Sequence, residues 1–408
     1  MVEEVLSHGF THMWSNPWSP DNPQGFVNLS VSLNAMCNDL LEEKFNNNFE
    51  WKIPVRNLNQ YRAPGGAVRT KQCLAEFIDE YFGAQVPTDP EDLVLTTACA
   101  DAFEIMSWMV ANPGDVLLTP APQYAYAHYN CFQRSQVTAV PVSTNLSETD
   151  KFTIDLDQFR TVYEEQQEKG KTVRGIILIN PQNPVGTCYS RETVLEILQF
   201  AHEKDIYVLF DEIYALSVHD QAVRYCSYHR LLPDMPDPTK CMWMWSFSKD
   251  MCMPGMRFGM VHTKNKKLVV GMAAIERVQS VPQLSEDFVV TLLSDKDWLR
   301  KFTEEKLGRL RQRYLMVAQK LTDLGVPYLP AQAGLYVLLD LRKFLSEQTF
   351  EAEQKLFETF ETHKLYMNPG SQWKCPEPGW FRLVFSRPEA EVLEGLVRLG
   401  KALQNRNL

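Results

Sequence analysis

The sequence predicts an α/β protein whose mostly parallel sheet is covered by helices on both faces, together with a smaller second domain. Between about residues 91 and 263, short apolar runs alternate with helix-length segments, a pattern typical of parallel sheets. The 408 residues are also more than one compact core usually serves. Hydrophobic and charged contents of 45% and 23% are ordinary for a globular enzyme.

The apolar runs predict six buried strands, at residues 93–96, 116–119, 176–180, 206–210, 242–245 and 257–262. Apolar side chains at helical spacing predict a helix over residues 191–204, and a second helix over 101–110 ends before Asn-Pro-Gly. Ligands of such sheets bind beyond the carboxyl ends of the strands. Functional residues are therefore expected where these strands end.

The remaining third of the chain predicts a smaller α+β domain. A charged amphipathic stretch over residues 286–324 predicts a long helix, and a helix over 350–363 lies between strands at 334–340 and 380–385. We expect residues 1–50 to contribute to this small domain, residues 51–290 to form the large cofactor-binding domain, and residues 291–408 to form the small C-terminal domain.

Charge and composition disfavour several classes of partner. A net charge of −10 does not attract nucleic acid or an anionic membrane, and no apolar run approaches the ~20 residues of a membrane span. The acidic N-terminal residues lack the features of a signal peptide. Nine cysteines without a Cys-x-x-Cys pair indicate neither a zinc site nor a disulfide framework. We therefore expect a cytoplasmic protein without a metal.

Residues 246–257 carry the most informative motif, Ser-Phe-Ser-Lys followed eight residues later by arginine. Lys249 suits a Schiff base with the aldehyde of pyridoxal phosphate, since nearby cations and burial favour the neutral amine. Ser246, Ser248 and Arg257 suit the phosphate. The alternative interpretation is a surface lysine beside serines.

Two further strand ends carry groups that suit the ring of the same cofactor. Asp211 could pair with a pyridinium nitrogen and so maintain the ring as an electron sink, while Tyr214 could donate to its phenolic oxygen. Asn183 lies in a proline-rich turn that could place its side chain beside a ring substituent. The alternatives are an exposed acidic turn and an ordinary strand-to-helix loop.

Two other loops complete the pattern. Tyr124 follows a strand and could stack on a planar ring, although a loop tyrosine often serves packing alone. Cys99 and Ala100 open a helix whose free backbone N–H groups could bind phosphate, as many strand-to-helix turns could. Four strand ends thus each supply a group for one part of the same cofactor.

These residues resemble those of pyridoxal-phosphate enzymes with the aspartate-aminotransferase fold, known as fold type I. Within that fold the chain is most similar to 1-aminocyclopropane-1-carboxylate (ACC) synthases, nearly from end to end. The similar segments include Ala-Gly-Leu-Tyr at 333–336, Asn-Pro-Gly-Ser at 368–371 and Glu-Pro-Gly-Trp-Phe-Arg at 377–382. A further similar segment covers residues 16–25.

The resemblance implies a role for each matching residue and a homodimer with shared active sites. Lys249 would be the Schiff-base lysine and proton shuttle, and Arg382 would bind the substrate α-carboxylate as a bidentate pair. Tyr61 would reach the phosphate of the neighbouring subunit. The other implied contacts with pyridoxal 5'-phosphate come from Asp211, Asn183, Tyr214, Tyr124, Ser246, Ser248, Arg257, Cys99 and Ala100.

Three positions depart from the ACC synthase pattern. Leu33 stands where those enzymes carry a substrate-binding glutamate, which removes a favourable partner for the sulfonium of S-adenosylmethionine. Ala100 replaces a hydroxyl residue in the phosphate turn, leaving only a backbone donor. Arg62, after Tyr61, adds a cation to the loop expected at the subunit interface.

The sequence leaves three functions open. The first is elimination or replacement at Cβ or Cγ of an α-amino acid or derivative, including carbon–sulfur lyase and S-adenosylmethionine chemistry. The second is an aminotransferase with a keto-acid product, which would use the same residues. The third is a non-catalytic homologue, against which the intact Lys249, Asp211, Tyr214 and Arg382 argue. Leu33 favours an apolar or uncharged substrate.

Overall fold

The computed structural model describes residues 14–47, 49–50, 55, 59–124, 133–146 and 152–404. Its strands are β1 (Val27–Asn28), β2 (Leu93–Thr96), β3 (Val116–Pro120), β4 (Thr138–Val142), β5 (Asn145–Leu146), β6 (Phe152–Thr153), β7 (Val173–Ile179), β8 (Tyr207–Asp211), β9 (Cys241–Ser246), β10 (Gly259–His262), β11 (Tyr328–Leu329), β12 (Tyr336–Asp340), β13 (Leu365–Tyr366), β14 (Asn368–Pro369) and β15 (Trp380–Val384).

The α-helices are α1 (Asn38–Asn47), α2 (Val68–Tyr81), α3 (Cys99–Val110), α4 (Leu156–Glu168), α5 (Arg191–Glu203), α6 (Tyr228–Leu231), α7 (Phe247–Asp250), α8 (Lys266–Glu276), α9 (Gln283–Ser294), α10 (Lys296–Asp323), α11 (Phe350–Thr362) and α12 (Glu389–Gln404). Short 3₁₀ helices cover Pro90–Asp92, Ala215–Ser217, Leu232–Asp234, Pro238–Lys240, Pro254–Met256, Arg342–Phe344 and Gly370–Trp373.

A seven-stranded sheet with the order β2-β10-β9-β8-β7-β3-β4 forms the centre of the large domain. Every neighbouring pair is parallel except those that involve β10, which runs antiparallel to β2 and β9. All six residues of β9 are buried, as expected for a central strand with a covered face on each side. The prediction of a mostly parallel sheet flanked by helices is confirmed.

Local sequence explains where the helix after β7 lies. In α5 the Ser190 side chain accepts a hydrogen bond from the Thr193 N–H and so caps the helix start. Its buried side chains, Val194, Ile197, Leu198 and Ala201 among them, recur at helical spacing and face the sheet side of the core. The loop that leaves β7 ends at the capped start of α5.

The smaller sheet has the order β11-β12-β15-β14 and is antiparallel throughout. Beside it, β1 pairs in parallel with β13, so the N-terminal segment packs with the C-terminal part of the chain. Their shared core includes Val27, Leu29, Leu310, Phe381 and Leu399. The domain boundary expected at residue 290 stays a prediction.

Two predicted elements differ from those found. The helix predicted over 286–324 is two helices, because Asp295 interrupts it and its carboxylate accepts from the Trp298 N–H to begin α10. The strand predicted from residue 257 begins at Gly259, because Arg257 has the left-handed φ of 51°. That conformation does not fit a strand.

Candidate active site

A cavity of about 360 Å³ lies at the carboxyl ends of β7, β8 and β9, beside the start of α3. Its position is the one at which sheets of this kind bind ligands, and its size suits a small molecule. The predicted site residues that line it are Cys99, Ala100, Tyr124, Asn183, Asp211, Tyr214, Ser248, Lys249, Arg257 and Arg382.

Lys249 lies in the short helix α7, directly after the central strand β9. Its Nζ donates a hydrogen bond to the Ser32 carbonyl oxygen at 2.5 Å, which directs the amine across the cavity to the N-terminal segment. Burial, followed by repulsion from Arg382 and Arg257, lowers the pKa of Lys249 to about 8. About a tenth of the amine is therefore neutral at pH 7, far more than for an ordinary lysine.

Asp211 is the last residue of β8 and is buried. The Ile213 N–H donates to its Oδ1 at 3.0 Å. Burial raises the pKa of Asp211 to about 7, with a smaller contribution from Asp250. A buried carboxylate with so few donors is stabilised by a cationic partner.

Tyr214 follows three residues later and is 2% exposed. Its ring packs edge to face on Tyr336 at 5.3 Å between centroids. Burial raises the pKa of Tyr214 to about 12, while the positive charge of Arg382 opposes the rise. The phenol stays protonated at neutral pH and can act as a donor.

The backbone at the start of α3 has an unusual shape. Ala98 precedes the helix with φ 121°. Gly259 lies against it so closely that a Cβ at that position would be 2.9 Å from the Ala98 Cα. The first-turn residues Cys99 and Ala100 line the cavity, and N–H groups at a helix start suit an anion. Ser248 and Arg257 line the same cavity.

Arg382 projects from β15 and has a network of acceptors around it. Nη1 donates to Asn183 Oδ1 at 3.0 Å, and Nη2 donates to Asn368 Oδ1 at 3.2 Å and to the Ser30 carbonyl oxygen. The guanidinium lies 4.1 Å from the centre of the Trp373 ring, an attractive cation–π arrangement. These contacts fix the fork that would bind a substrate carboxylate.

Sequence reasoning gave no role to three of these neighbours, namely Ser30, Asn368 and Trp373. Asn368 lies in a segment that resembles the family, but its contact with Arg382 depends on the pairing of β14 with β15. Trp373 also lies 6.3 Å from Tyr124 between ring centroids. One signal in the sequence pointed to Trp373, namely an aromatic residue shortly after the Asn-Pro-Gly-Ser segment.

Three predicted residues do not line the cavity. Ser246 is fully buried and its oxygen accepts from the Ser248 N–H, so that it caps α7. Leu33 is part-buried, whereas its neighbours Ser30, Val31 and Ser32 reach the cavity. Tyr61 is fully exposed on the surface. The roles predicted for these three residues stay predictions.

The loop that presents Tyr61 is anchored by its neighbour. The Arg62 side chain forms buried ion pairs with Glu276 and Glu286. The second oxygens of these carboxylates accept from the N–H groups of Gly65 and Ala67, both at 2.9 Å. The cation added by Arg62 is thus a structural tie between this loop, α8 and α9.

Within the ranges that the structure describes, no helix has the length and apolar character to cross a bilayer. The same residues contain no group of three or more His, Cys, Asp or Glu side chains placed to hold a metal ion.

Comparison with known proteins gives the context of this cavity. The profile of aminotransferase class I and II matches residues 28–399. ACC synthase-like protein 1 of Mus musculus is 32% identical over 391 residues, which are 95% of this chain and 78% of that protein. The probable inactive ACC synthase-like protein 2 of Mus musculus is 34% identical over 372 residues, and the chain spans 63% of its length.

Solved structures show the same fold at lower identity. A Thermus thermophilus aspartate aminotransferase mutant has a TM-score of 0.74 and 20% identity, covering 92% of this chain and 91% of its own. The aromatic aminotransferase of Pyrococcus horikoshii has a TM-score of 0.77 and 19% identity, covering 93% and 96%.

The donor set fits the cofactor of this family. A lysine with a lowered pKa, a buried carboxylate and an anion-binding helix start lie around one cavity. They match the aldehyde, ring nitrogen and phosphate of pyridoxal 5'-phosphate, respectively. The chain belongs to the aminotransferase class I and II family, which has the aspartate-aminotransferase fold and depends on pyridoxal 5'-phosphate.

Proposed function

We propose that the chain is an enzyme that removes the α-proton of an amino acid and then eliminates or replaces a group at Cβ or Cγ. The observation that carries this proposal is the amine of Lys249, whose pKa is lowered to about 8 in the same cavity as Arg382. A base near neutrality and an anchored guanidinium support removal of the α-proton, and the similarity to ACC synthase-like proteins favours elimination as the step that follows.

The bound cofactor would supply an electron sink for the negative charge left at the substrate Cα. Arg382 binds the α-carboxylate and orients the Cα–H bond towards Lys249. Lys249 Nζ takes the proton and can return it to a neighbouring atom. Asp211 would stabilise positive charge at the ring nitrogen of the bound cofactor, and Tyr214 would donate its O–H to the ring oxygen. The aromatic rings of Tyr124 and Trp373 exclude water from one side of the cavity.

The charges around the cavity bear on the substrate. Asp211 is the one carboxylate among the described residues that line it, and the N-terminal segment contributes Ser30, Val31 and Ser32 there. A sulfonium side chain would therefore find little negative charge. We propose an uncharged side chain, with a sulfur leaving group as the first choice because the relatives include ACC synthase-like proteins.

An aminotransferase reaction is the second candidate. The family profile and the similar solved structures support it, because they include aminotransferases. One relative carries the name probable inactive, so a chain without turnover is the third candidate. The lowered pKa of Lys249 supports turnover, because the neutral amine is then far more abundant near pH 7 than it is for an ordinary lysine.

One experiment separates the three candidates. The purified protein would be incubated with sulfur-containing and other apolar amino acids and with S-adenosylmethionine. Release of the leaving group and formation of keto acid would be followed with and without a keto-acid acceptor. We expect acceptor-independent release by the wild type and none by Lys249→Ala. Keto acid formed only with an acceptor would instead establish the aminotransferase, and no turnover of any substrate would refute both enzymatic candidates.

We also propose a homodimeric state and a cytoplasmic location. The exposed Tyr61, on a loop anchored by Arg62, supports a homodimer in which each subunit contributes to its partner's site. The cysteines in the part of the chain that the structure describes are free thiols, which supports a reducing compartment such as the cytoplasm.

A further inference from the structure

A second cavity, of about 630 Å³, lies between the large domain and the small domain. Its walls come from β6, the start of α5, the segment at 219–220, the middle of α10 and residues 330–332. It shares no lining residue with the cavity of Lys249. Its volume lies within the range of small-molecule sites.

Two buried residues among those that line this cavity each have a polar atom that lacks a partner. His219 is 3% exposed and Tyr189 is 6% exposed. His219 Nε2 and the Tyr189 hydroxyl have no hydrogen-bond partner within the part of the chain that the structure describes. A buried polar atom left unpaired costs roughly 1–3 kcal/mol. Ligand groups that pair with these atoms would recover that loss.

The histidine is held in place and uncharged. Its ring lies tilted against the ring of Tyr314, at 4.9 Å between centroids, and its backbone N–H donates to the Gln332 carbonyl oxygen at 3.0 Å. Burial lowers the pKa of His219 to about 4, with Asp220 opposing the shift and Arg311 adding to it. The neutral ring offers one donor and one acceptor.

The mouth of the cavity is charged and its wall is aromatic. Arg311 is exposed and Asp220 is part-buried, and both act electrostatically on His219. Ser190 and Thr193 add the first turn of α5, where a helix start favours negative charge. Tyr314 and Phe152 supply aromatic surface beside the polar groups, since their rings lie against those of His219 and Tyr189.

We propose that this cavity is a second binding site for an aromatic α-amino acid whose ring carries a hydrogen-bonding group. Arg311 pairs with the carboxylate and Asp220 with the ammonium group at the mouth. The ring packs on Tyr314, and its polar substituent meets His219 Nε2 and the Tyr189 hydroxyl.

Occupancy of this site would reach the catalytic residues through one loop. Gln332 does not line the first cavity. Its backbone N–H and that of Ala333 both donate to the Gly186 carbonyl oxygen at 2.9 Å. Gly186 donates to the Gln182 carbonyl at 2.7 Å, next to the Asn183 that bonds Arg382. A ligand between α5 and α10 therefore bears on the loop that holds Asn183.

The test is a calorimetric titration of the cofactor-loaded protein with L-tyrosine, L-phenylalanine and tyramine. All titrations use an Arg382→Ala background, which weakens amino-acid binding at the first cavity. We expect L-tyrosine to bind more tightly than L-phenylalanine, which lacks the hydroxyl, and more tightly than tyramine, which lacks the carboxylate. A bound ligand should leave the cofactor absorption band unshifted.

Three substitutions, each added to that background, identify the site. Arg311→Ala should weaken L-tyrosine binding roughly tenfold or more, since it removes a charged partner. Tyr189→Phe should weaken L-tyrosine but not L-phenylalanine, by roughly threefold to tenfold. Arg160→Ala, at another exposed arginine on α4, is the control and should change neither. Absence of L-tyrosine binding, or equal affinity in the Arg311→Ala protein, would overturn the proposal.

Discussion

At the scale of single residues, burial moves two ionisable groups of the cavity towards their neutral forms. The pKa of Lys249 falls to about 8 and that of Asp211 rises to about 7. A neutral amine suits a nucleophile and base, whereas a neutral carboxyl does not suit a partner of a ring nitrogen. Asp211 therefore needs the charged ring nitrogen to remain ionised, and the apoprotein lacks that partner.

The substitution Asp211→Asn tests this dependence through stability. In the apoprotein the folded-state pKa of Asp211 is about 7, above its usual value of 3.8. The folded state therefore binds the proton more tightly than the unfolded state, and stability is lost as the pH rises from 3.8 through 7. Asparagine does not ionise. We therefore expect the free energy of unfolding of the apoprotein variant, relative to that of the wild type, to rise by on the order of 3 kcal/mol from pH 5 to pH 8. Denaturant unfolding at both pH values measures the difference.

The holoenzyme supplies the control for that measurement. With pyridoxal 5'-phosphate bound, the carboxylate gains its cationic partner, so the variant should bind cofactor more weakly than wild type. A stability difference that is the same at pH 5 and pH 8 would mean that Asp211 is already satisfied without the cofactor.

At the scale of elements, the start of α3 depends on a close approach between two strands and a turn. Gly259 in β10 pairs with Thr96 of β2 and Ser246 of β9. A Cβ there would lie 2.9 Å from the Ala98 Cα and 3.0 Å from the Trp245 carbonyl oxygen. Because these are backbone atoms of fixed elements, the turn before Cys99 would have to move.

Gly259→Ala should therefore destabilise the fold by about 1–3 kcal/mol and weaken cofactor binding, because the phosphate-binding N–H groups follow the turn. Gly308→Ala is the matched control, since Gly308 is exposed within α10 and a Cβ there meets nothing. That change should stabilise the helix by about 1 kcal/mol. Thermal unfolding and equilibrium dialysis with pyridoxal 5'-phosphate measure both effects, and equal results for the two variants would contradict the prediction.

Strands buried on both faces could be predicted from the sequence, but a partly exposed strand could not. The runs of β2, β3, β7, β8 and β9 are apolar because both sides of the sheet are covered. The edge strand β4 reads Thr-Ala-Val-Pro-Val and exposes two of its residues, so it carries no such run. Asp295 was missed as a helix start because the sequence on both sides of it is equally helical.

At the scale of the whole molecule, the residues of the site come from distant parts of the chain. The strand-end residues could be predicted because each follows a recognisable apolar run. The contacts of Arg382 could not, since Ser30 and Asn183 are 352 and 199 residues away from it. Only the packing of the small domain on the large domain brings them together.

The largest-scale prediction concerns Tyr61, which is fully exposed on a loop tied down by Arg62. If it completes the partner's site, two inactive variants should restore each other. A dimer of one Tyr61→Ala subunit and one Lys249→Ala subunit has one site with both residues intact and one site with neither. Random exchange of subunits should then give about a quarter of the wild-type activity, although each variant alone has little.

The same mixing with a doubly substituted chain is the control. Wild type mixed with a chain carrying both Tyr61→Ala and Lys249→Ala forms mixed dimers in which every site lacks one of the two residues. Activity should then fall below the amount of wild type added, because wild-type subunits are drawn into defective sites. If Tyr61 instead acts within its own subunit, the first mixture would stay inactive and this second mixture would keep the full wild-type share, which distinguishes a shared active site from an independent one.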